Sequence, residues 1–185
     1  MVGDRDLTEL ARQAYAAMAD SFSPCPAHLV PSFRLWHFPL AGIHHSWTVF
    51  HGRLEDPITR VPRLRTLSWD RDTDLERLEL RTRVKPRLEP SLTVTEGEID
   101  GVRLAELMAE VSRLRIPRDC LGNPYLTDER AEFGLEGFDV EGRDGRPIVR
   151  IEWDRDPPLE MAALAEWADR VRRWLREATS HPQKP

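Results

Sequence analysis

The sequence predicts an α+β fold: a mainly antiparallel sheet of about six or seven strands with about three helices packed on it. Short segments with period-two alternation follow one another closely in the first half of the chain, which is typical of an antiparallel meander. The last third, 133–178, adds two more such segments and then the most strongly amphipathic helical pattern of the sequence. We expect the helices to cover one face of this sheet.

The chain has 185 residues, a length that suits one sizeable hydrophobic core. We therefore expect a single globular domain over 1–179 and a flexible C-terminal tail over 180–185. No apolar run reaches the roughly 18 residues that a membrane span needs, and no secretory signal pattern is visible. Cys25 and Cys120 form neither a CxxC pair nor a disulfide framework. A reduced, cytoplasmic protein without a membrane partner is the expectation.

The first predicted element is a helix over 4–19. Asp6 and Glu9 fit a capping box at its start, and apolar residues then recur at helical spacing. The proline-rich segment 21–32 ends this helix and predicts an irregular connector.

Short strands are predicted next, because apolar or aromatic residues alternate with polar ones along them. These strands cover residues 33–38, 46–51, 64–69, 75–84 and 91–95. Gly42 separates the first two strands, and two prolines lie between the second and the third. Short turns of this kind favour antiparallel neighbours.

The second half of the chain begins with a helix that has Asp100 as its N-cap and stops before Pro117. The segment 118–127 predicts a loop. Strands over 133–140 and 145–153 then form a hairpin.

The last helix follows two consecutive prolines, which stop the preceding strand and pre-set a first helical turn. Large apolar residues recur along it at spacings of three and four, and charged residues fill most other positions. These apolar residues are Leu164, Trp167, Val171, Trp174 and Leu175.

The formal net charge of −5 speaks against a nucleic-acid binder, since neutralising phosphates normally requires a basic face. Every basic residue except Lys85 and Lys184 is an arginine. A GC-rich genome explains this preference most simply. The functional alternative is an interface with carboxylate or phosphate partners, which arginine grips with two parallel hydrogen bonds.

Histidines are concentrated in and beside the first two predicted strands, at His37, His44, His45 and His51. Imidazoles brought together across a hairpin can bind Zn²⁺ or act as a general base. Consecutive residues of a strand point to opposite faces, so only one of His44 and His45 can join a given site with His37. The spacing matches no established metal motif, and ordinary half-exposed strand histidines are the simpler interpretation.

A second cluster of polar residues runs from Asp70 to Asp74. Alternate carboxylates resemble the opening of a calcium loop, but Leu75 stands where that loop requires glycine and Arg81 where it requires glutamate. An acidic turn between strands is the simpler interpretation. Asp70 or Asp72 near the histidines would instead suit a metal-assisted hydrolase.

The candidates for partner binding are Trp36, Trp47, Arg71 and Asp72. Tryptophan and arginine dominate the energetically important positions of protein interfaces. The two tryptophans lie beside histidines on early strands, where an exposed contact patch is one prediction and a place in the core is the other.

The searches for a dinucleotide fingerprint, a phosphate-binding loop and a nucleophile elbow find nothing, so the sequence predicts no catalytic residue and no cofactor. The leading hypothesis is a non-catalytic cytoplasmic module that binds a protein partner, as a bacterial immunity-type protein or an accessory subunit does. A metal-dependent hydrolase that uses the histidines with Asp70 or Asp72 is the alternative. A nucleic-acid-binding accessory protein is a further one.

Overall fold

Antiparallel strands form the centre of the fold. The computed structural model describes residues 4–26, 29–52, 61–79, 89–114, 132–138 and 147–180. In chain order the elements are α1 (Asp4–Ala19), β1 (Leu29–His37), β2 (Ile43–Gly52), β3 (Arg63–Asp70), α2 (Arg71–Glu79), β4 (Leu92–Glu98), α3 (Gly101–Val111), β5 (Phe133–Phe138), β6 (Pro147–Trp153) and α4 (Ala162–Ser180). A 3₁₀ turn at Leu159–Met161 leads into α4. The predicted α+β class is confirmed.

The strands form one six-stranded sheet in the order β4-β3-β2-β1-β5-β6, and every neighbouring pair is antiparallel. The meander β1–β4 makes one side of the sheet, and the hairpin β5–β6 joins the free edge of β1. The chain therefore returns to its first strand after the meander, which places residues near 35 beside residues near 135.

Helices pack on both faces of the sheet, so the prediction of helices on one face is wrong. On the α1 face, α1 and α2 pack on β3 through a core cluster of Leu10, Ala14, Met18, Leu67, Trp69 and Leu78. On the α4 face, α3 and α4 join a larger cluster that includes Phe33, Val49, Leu107, Trp167 and Val171. An apolar stripe shows that a helix is buried, but it does not tell which face of the sheet it covers.

The segment after β3 is a helix, and the strand predicted over 75–84 is wrong for residues 75–79. Asp70 caps α2 by accepting hydrogen bonds from the Thr73 amide (3.1 Å) and hydroxyl (2.8 Å). Asp74 is buried and accepts a hydrogen bond from Nε1 of Trp69 (2.8 Å). Leu78 packs in the core one turn later. The rest of the predicted strand, 80–84, lies outside the described residues.

Other boundaries differ by a few residues. β1 begins at Leu29 within the predicted connector, and an irregularity in its register between Pro31 and Phe33 accommodates the proline. The N-cap at Asp100 is confirmed by hydrogen bonds from the amides of Val102 (2.8 Å) and Arg103 (3.2 Å). The predicted stop at residue 117, the loop 118–127 and residues 181–185 of the tail are not among the described residues.

Two buried arginines hold the C-terminal end of α1 on the sheet. Nη1 of Arg34 donates to the carbonyl oxygen of Met18 (2.8 Å), and Nη1 of Arg65 donates to that of Ser21 (3.0 Å). These carbonyls lie at or just after the last turn of α1, where helical partners run out. Arg34 also forms an ion pair with Glu136 on β5 (2.9 Å), and both side chains are only 5% exposed. Charged contacts as well as apolar packing therefore hold α1 against this face of the sheet.

Trp36 lies flat across Gly134 of the neighbouring strand β5. A Cβ added at this glycine would lie 1.8 Å from Cζ2 of the Trp36 ring. The guanidinium groups of Arg34 and Arg150 pack over the ring at 5.0 and 5.6 Å from its centroid. The tryptophan therefore needs a residue without a side chain beside it.

We expect Gly134→Ala to lower the free energy of unfolding by about 1–3 kcal/mol, because the ring must move out of a well-packed position. Gly97→Ala is the matched control: Gly97 also lies in a strand, on β4, and a Cβ there would meet nothing within 4 Å. We expect the control to change stability by less than about 0.5 kcal/mol. Urea unfolding measures both, and equal losses would contradict the packing described.

Candidate functional site

A cleft of about 550 Å³ opens between α4 and the strands β5 and β6. Phe133, Trp153 and Leu35 line it from the sheet, and the small side chains of Ala162 and Ala165 line it from the helix. These alanines keep the first turns of α4 from filling the space above β5 and β6. The cleft thus offers an aromatic and aliphatic surface to an incoming group.

The rim of the cleft carries a positive excess. The lining includes four arginines, Arg155, Arg170, Arg172 and Arg173, against two carboxylates, Glu166 and Asp169. The chain as a whole carries a formal charge of −5, so this local sign is opposite to the global one.

Two of the four rim arginines, Arg170 and Arg173, are held by exposed ion pairs. Arg170 contacts Glu110 of α3 (2.7 Å), and Arg173 contacts Asp169 (3.3 Å), with each of these side chains at least 40% exposed. Exposed pairs of this kind contribute about 0–1 kcal/mol each. An anionic partner can therefore compete for these arginines at little cost.

The structure brings together two of the four predicted histidines. His37 and His45 are directly paired in the β1–β2 register and lie on the α4 face. Nε2 of His37 lies 3.3 Å from Oε1 of Glu132, and its ring stacks on Phe133 with centroids 4.7 Å apart. His51 lies at the far end of β2 opposite Val30, and burial lowers its pKa.

His44 faces the other way and is a core residue. It is 1% exposed, and its ring lies among those of Tyr15, Phe38 and Trp69, at centroid distances of 5.1–5.7 Å. Burial, aided by the positive charge of Arg71, lowers the pKa of His44 to about 4. Neither ring nitrogen has a hydrogen-bond partner in the described part of the chain. The neutral imidazole of His44 therefore packs in the core as an aromatic ring.

Asp70 and Asp72 have structural contacts. Asp70 is the N-cap of α2, and Oδ2 of Asp72 accepts a hydrogen bond from the amide of Gly42 (3.0 Å). Nη1 of Arg71 donates to the carbonyl of Leu40 in the same β1–β2 turn. Within the described ranges, no three His, Cys, Asp or Glu side chains lie close enough to hold a metal ion together. The metal-dependent hydrolase stays a prediction that this part of the chain does not support.

Trp36 and Trp47 are buried, at 5% and 1% exposure. Of the two predictions for these side chains, the place in the core is confirmed and the exposed patch is wrong: Trp36 is covered by arginines and Gly134, and the guanidinium of Arg176 lies 5.5 Å from the Trp47 ring. Whether any of the four partner-binding candidates contacts a partner stays a prediction. Replacing either tryptophan would disturb the core before it tested an interface.

Sequence reasoning missed the residues that make the cleft. The sequence pattern predicts Phe133 and Trp153 only as strand residues and the arginines of α4 only as part of its polar face. The available signal was a run of small residues, Ala162, Ala165 and Ala168, followed by the arginines 170, 172 and 173 on a helix that comes after a hairpin. Comparisons with protein-family models, curated proteins and solved structures find no match to this chain. Among the described residues no helix is long and apolar enough to span a membrane.

We expect His44→Phe to flatten the pH dependence of stability on the acid side. Because the pKa is about 4 in the folded protein and about 6.5 in an unfolded chain, the unfolded state binds the proton first as pH falls. The stabilisation from a neutral His44 is complete above about pH 6.5 and is lost as pH falls toward 4. Its magnitude is on the order of 3 kcal/mol.

The readout is the free energy of unfolding of both proteins between neutral pH and the acid limit of folding. The comparison uses the slope of the free energy of unfolding against pH for each protein. A change in absolute stability caused by the larger phenylalanine ring does not affect this slope. Parallel slopes for the two proteins would contradict a buried neutral His44.

Proposed function

We propose that this chain is a non-catalytic binding protein that recognises a partner protein through the cleft beside α4. The observation that carries the proposal is a cleft with aromatic walls and an arginine rim on an otherwise acidic chain. Aromatic and arginine side chains supply most of the binding energy at protein interfaces. A role as an immunity-type protein or an accessory subunit, in the cytoplasm of a bacterium, is the form of this proposal that the sequence suggested.

The charge of the cleft indicates what kind of segment the partner presents. Four rim arginines favour carboxylates, which a guanidinium binds with two parallel hydrogen bonds. The walls formed by Phe133 and Trp153 favour an aromatic or aliphatic side chain next to those carboxylates. The proposed contact is therefore an acidic segment of the partner with one large apolar residue. The net charge of −5 acts at longer range and governs encounter more than the contact itself.

A nucleic-acid partner is less well supported. Glu166 and Asp169 are interleaved with the arginines of the cleft, and a polyanion would meet both carboxylates. Its affinity would also fall steeply with salt, because binding would release counterions from the phosphates.

We expect Arg173→Glu to reduce partner capture by about tenfold or more, because it reverses a charge at the rim of the cleft. Arg12→Glu on α1 is the matched control. Both arginine side chains are 65% exposed, and both pair with a carboxylate on their own helix. We expect the control to retain capture.

Affinity capture of tagged protein from its native lysate at moderate salt, with mass spectrometry of the eluate, makes this comparison. A stoichiometric protein lost with Arg173→Glu and kept with Arg12→Glu supports the proposal. Capture that is equal for the two variants contradicts the cleft as the contact. An eluate without a stoichiometric protein contradicts the binding function.

A further inference from the structure

Beside the cleft, under the C-terminal half of α4, two histidines and two arginines are stacked against two aromatic rings. Arg172 lies 5.1 Å from the Phe133 ring, which also stacks on His37. Arg176 lies 5.5 Å from the Trp47 ring, which stacks on His45 at 5.1 Å. We call His37, His45, Arg172 and Arg176 the arginine–histidine cluster.

Secondary structure holds the two histidines next to each other and the two arginines next to each other. The histidines are directly paired between β1 and β2. The arginines are four residues apart on α4, a spacing that puts them next to each other on one side of a helix. Nη2 of Arg176 lies 3.4 Å from Nδ1 of His37, which joins the helix to the sheet. Three separate elements therefore converge on one place.

The cluster is electrostatically unfavourable by itself. Like charges four residues apart destabilise a helix, and here both lie over ionisable imidazoles. Burial, reinforced by the nearby arginines, lowers the pKa of His37 and lowers that of His45 to about 4. Within the described ranges, Glu132 lies beside His37 and Asp169 lies beside Arg172. An anion bound beside the two arginines would offset their mutual repulsion.

Hydrogen-bond donors in the cluster and on the neighbouring Trp47 are also unsatisfied. Nε of Arg172 and Nε1 of Trp47 are buried, and neither has a partner in the described part of the chain. Nδ1 of His45 is also buried without a partner in the described part of the chain, and it is a donor in one of the two neutral tautomers of the imidazole. A buried donor without a partner destabilises the folded protein. A ligand made only of acceptor oxygens would satisfy such donors.

We propose that the arginine–histidine cluster is a binding site for a phosphate group. Two permanently charged guanidinium groups match a doubly charged oxyanion, and its several oxygens accept from several donors at once. A carboxylate, with one charge and two oxygens, matches a single arginine. Arg172 and Phe133 also line the neighbouring cleft, so a phosphate ester with an aromatic group can occupy both places. The proposal does not depend on the partner protein proposed above.

The test follows the imidazole nitrogens of the full chain by NMR at neutral pH while inorganic phosphate is added. We expect the resonances of His37 and His45 to shift saturably and the pKa of both to rise, since an anion favours protonated rings. Phenyl phosphate in place of phosphate shows whether the site takes a free anion or an ester, and benzoate shows whether a carboxylate suffices. Tighter binding of phenyl phosphate is expected.

Arg176→Gln is expected to weaken phosphate binding by about tenfold or more, through the loss of a charge-assisted contact. Arg103→Gln, which removes an exposed arginine of α3 paired with Glu106, is expected to bind as the unaltered protein does. Shifts no larger than those from chloride at equal ionic strength would overturn the proposal, as would unchanged binding in Arg176→Gln or equal binding of benzoate.

Thermal unfolding of the unaltered protein and of Arg176→Gln gives a second readout. A ligand that binds only the folded state raises Tm with its concentration. Because phosphate also stabilises proteins without binding to a site, the expected result is a larger rise in Tm for the unaltered protein than for Arg176→Gln, and equal rises would overturn the proposal.

Discussion

The buried ion pair between Arg34 and Glu136 is the interaction on which the rest of the structure depends. It joins β1 to β5 across the point where the chain returns after the meander, and Arg34 also holds the end of α1 through the Met18 carbonyl. Removing one partner of a buried pair leaves an uncompensated charge and typically costs about 3–5 kcal/mol. The same register that places Arg34 opposite Glu136 places His37 opposite Phe133, so the pair on one face sets the geometry of the site on the other.

The two faces of the sheet therefore have different chemistry. The α1 face joins apolar packing to buried polar contacts, with Arg34 and Arg65 bound to carbonyls that a helix end leaves without partners. The α4 face has the larger apolar core, but at its β5–β6 side the small residues of α4 leave a cleft, and arginines surround it. Open space, several arginines and unsatisfied donors lie together on this face, and for this reason we propose that it recognises the partner.

The sequence predicted the elements whose signals are local. Asp100 predicted the start of α3, and the apolar stripe predicted α4, because capping and helical periodicity depend only on residues that are close in the sequence. The alternation along 75–84 predicts a strand, but Asp70 caps a helix that runs from residue 71 to residue 79. The pairing of His37 with one of His44 and His45 was foreseeable from the turn at Gly42, whose φ of 86° favours glycine. The contacts of Arg172 with Phe133 were not foreseeable, since they depend on which edge receives the hairpin and which face receives α4.

Our central proposal is that a partner is recognised on the α4 face. Hydrogen–deuterium exchange of the chain, free and in complex with its captured partner, tests this claim most directly. We predict that binding slows exchange in 133–138 and 162–176, where the cleft and the arginines lie, and leaves α1 and α2 unchanged. Protection confined to 4–19 and 71–79 would place the contact on the opposite face and contradict the account.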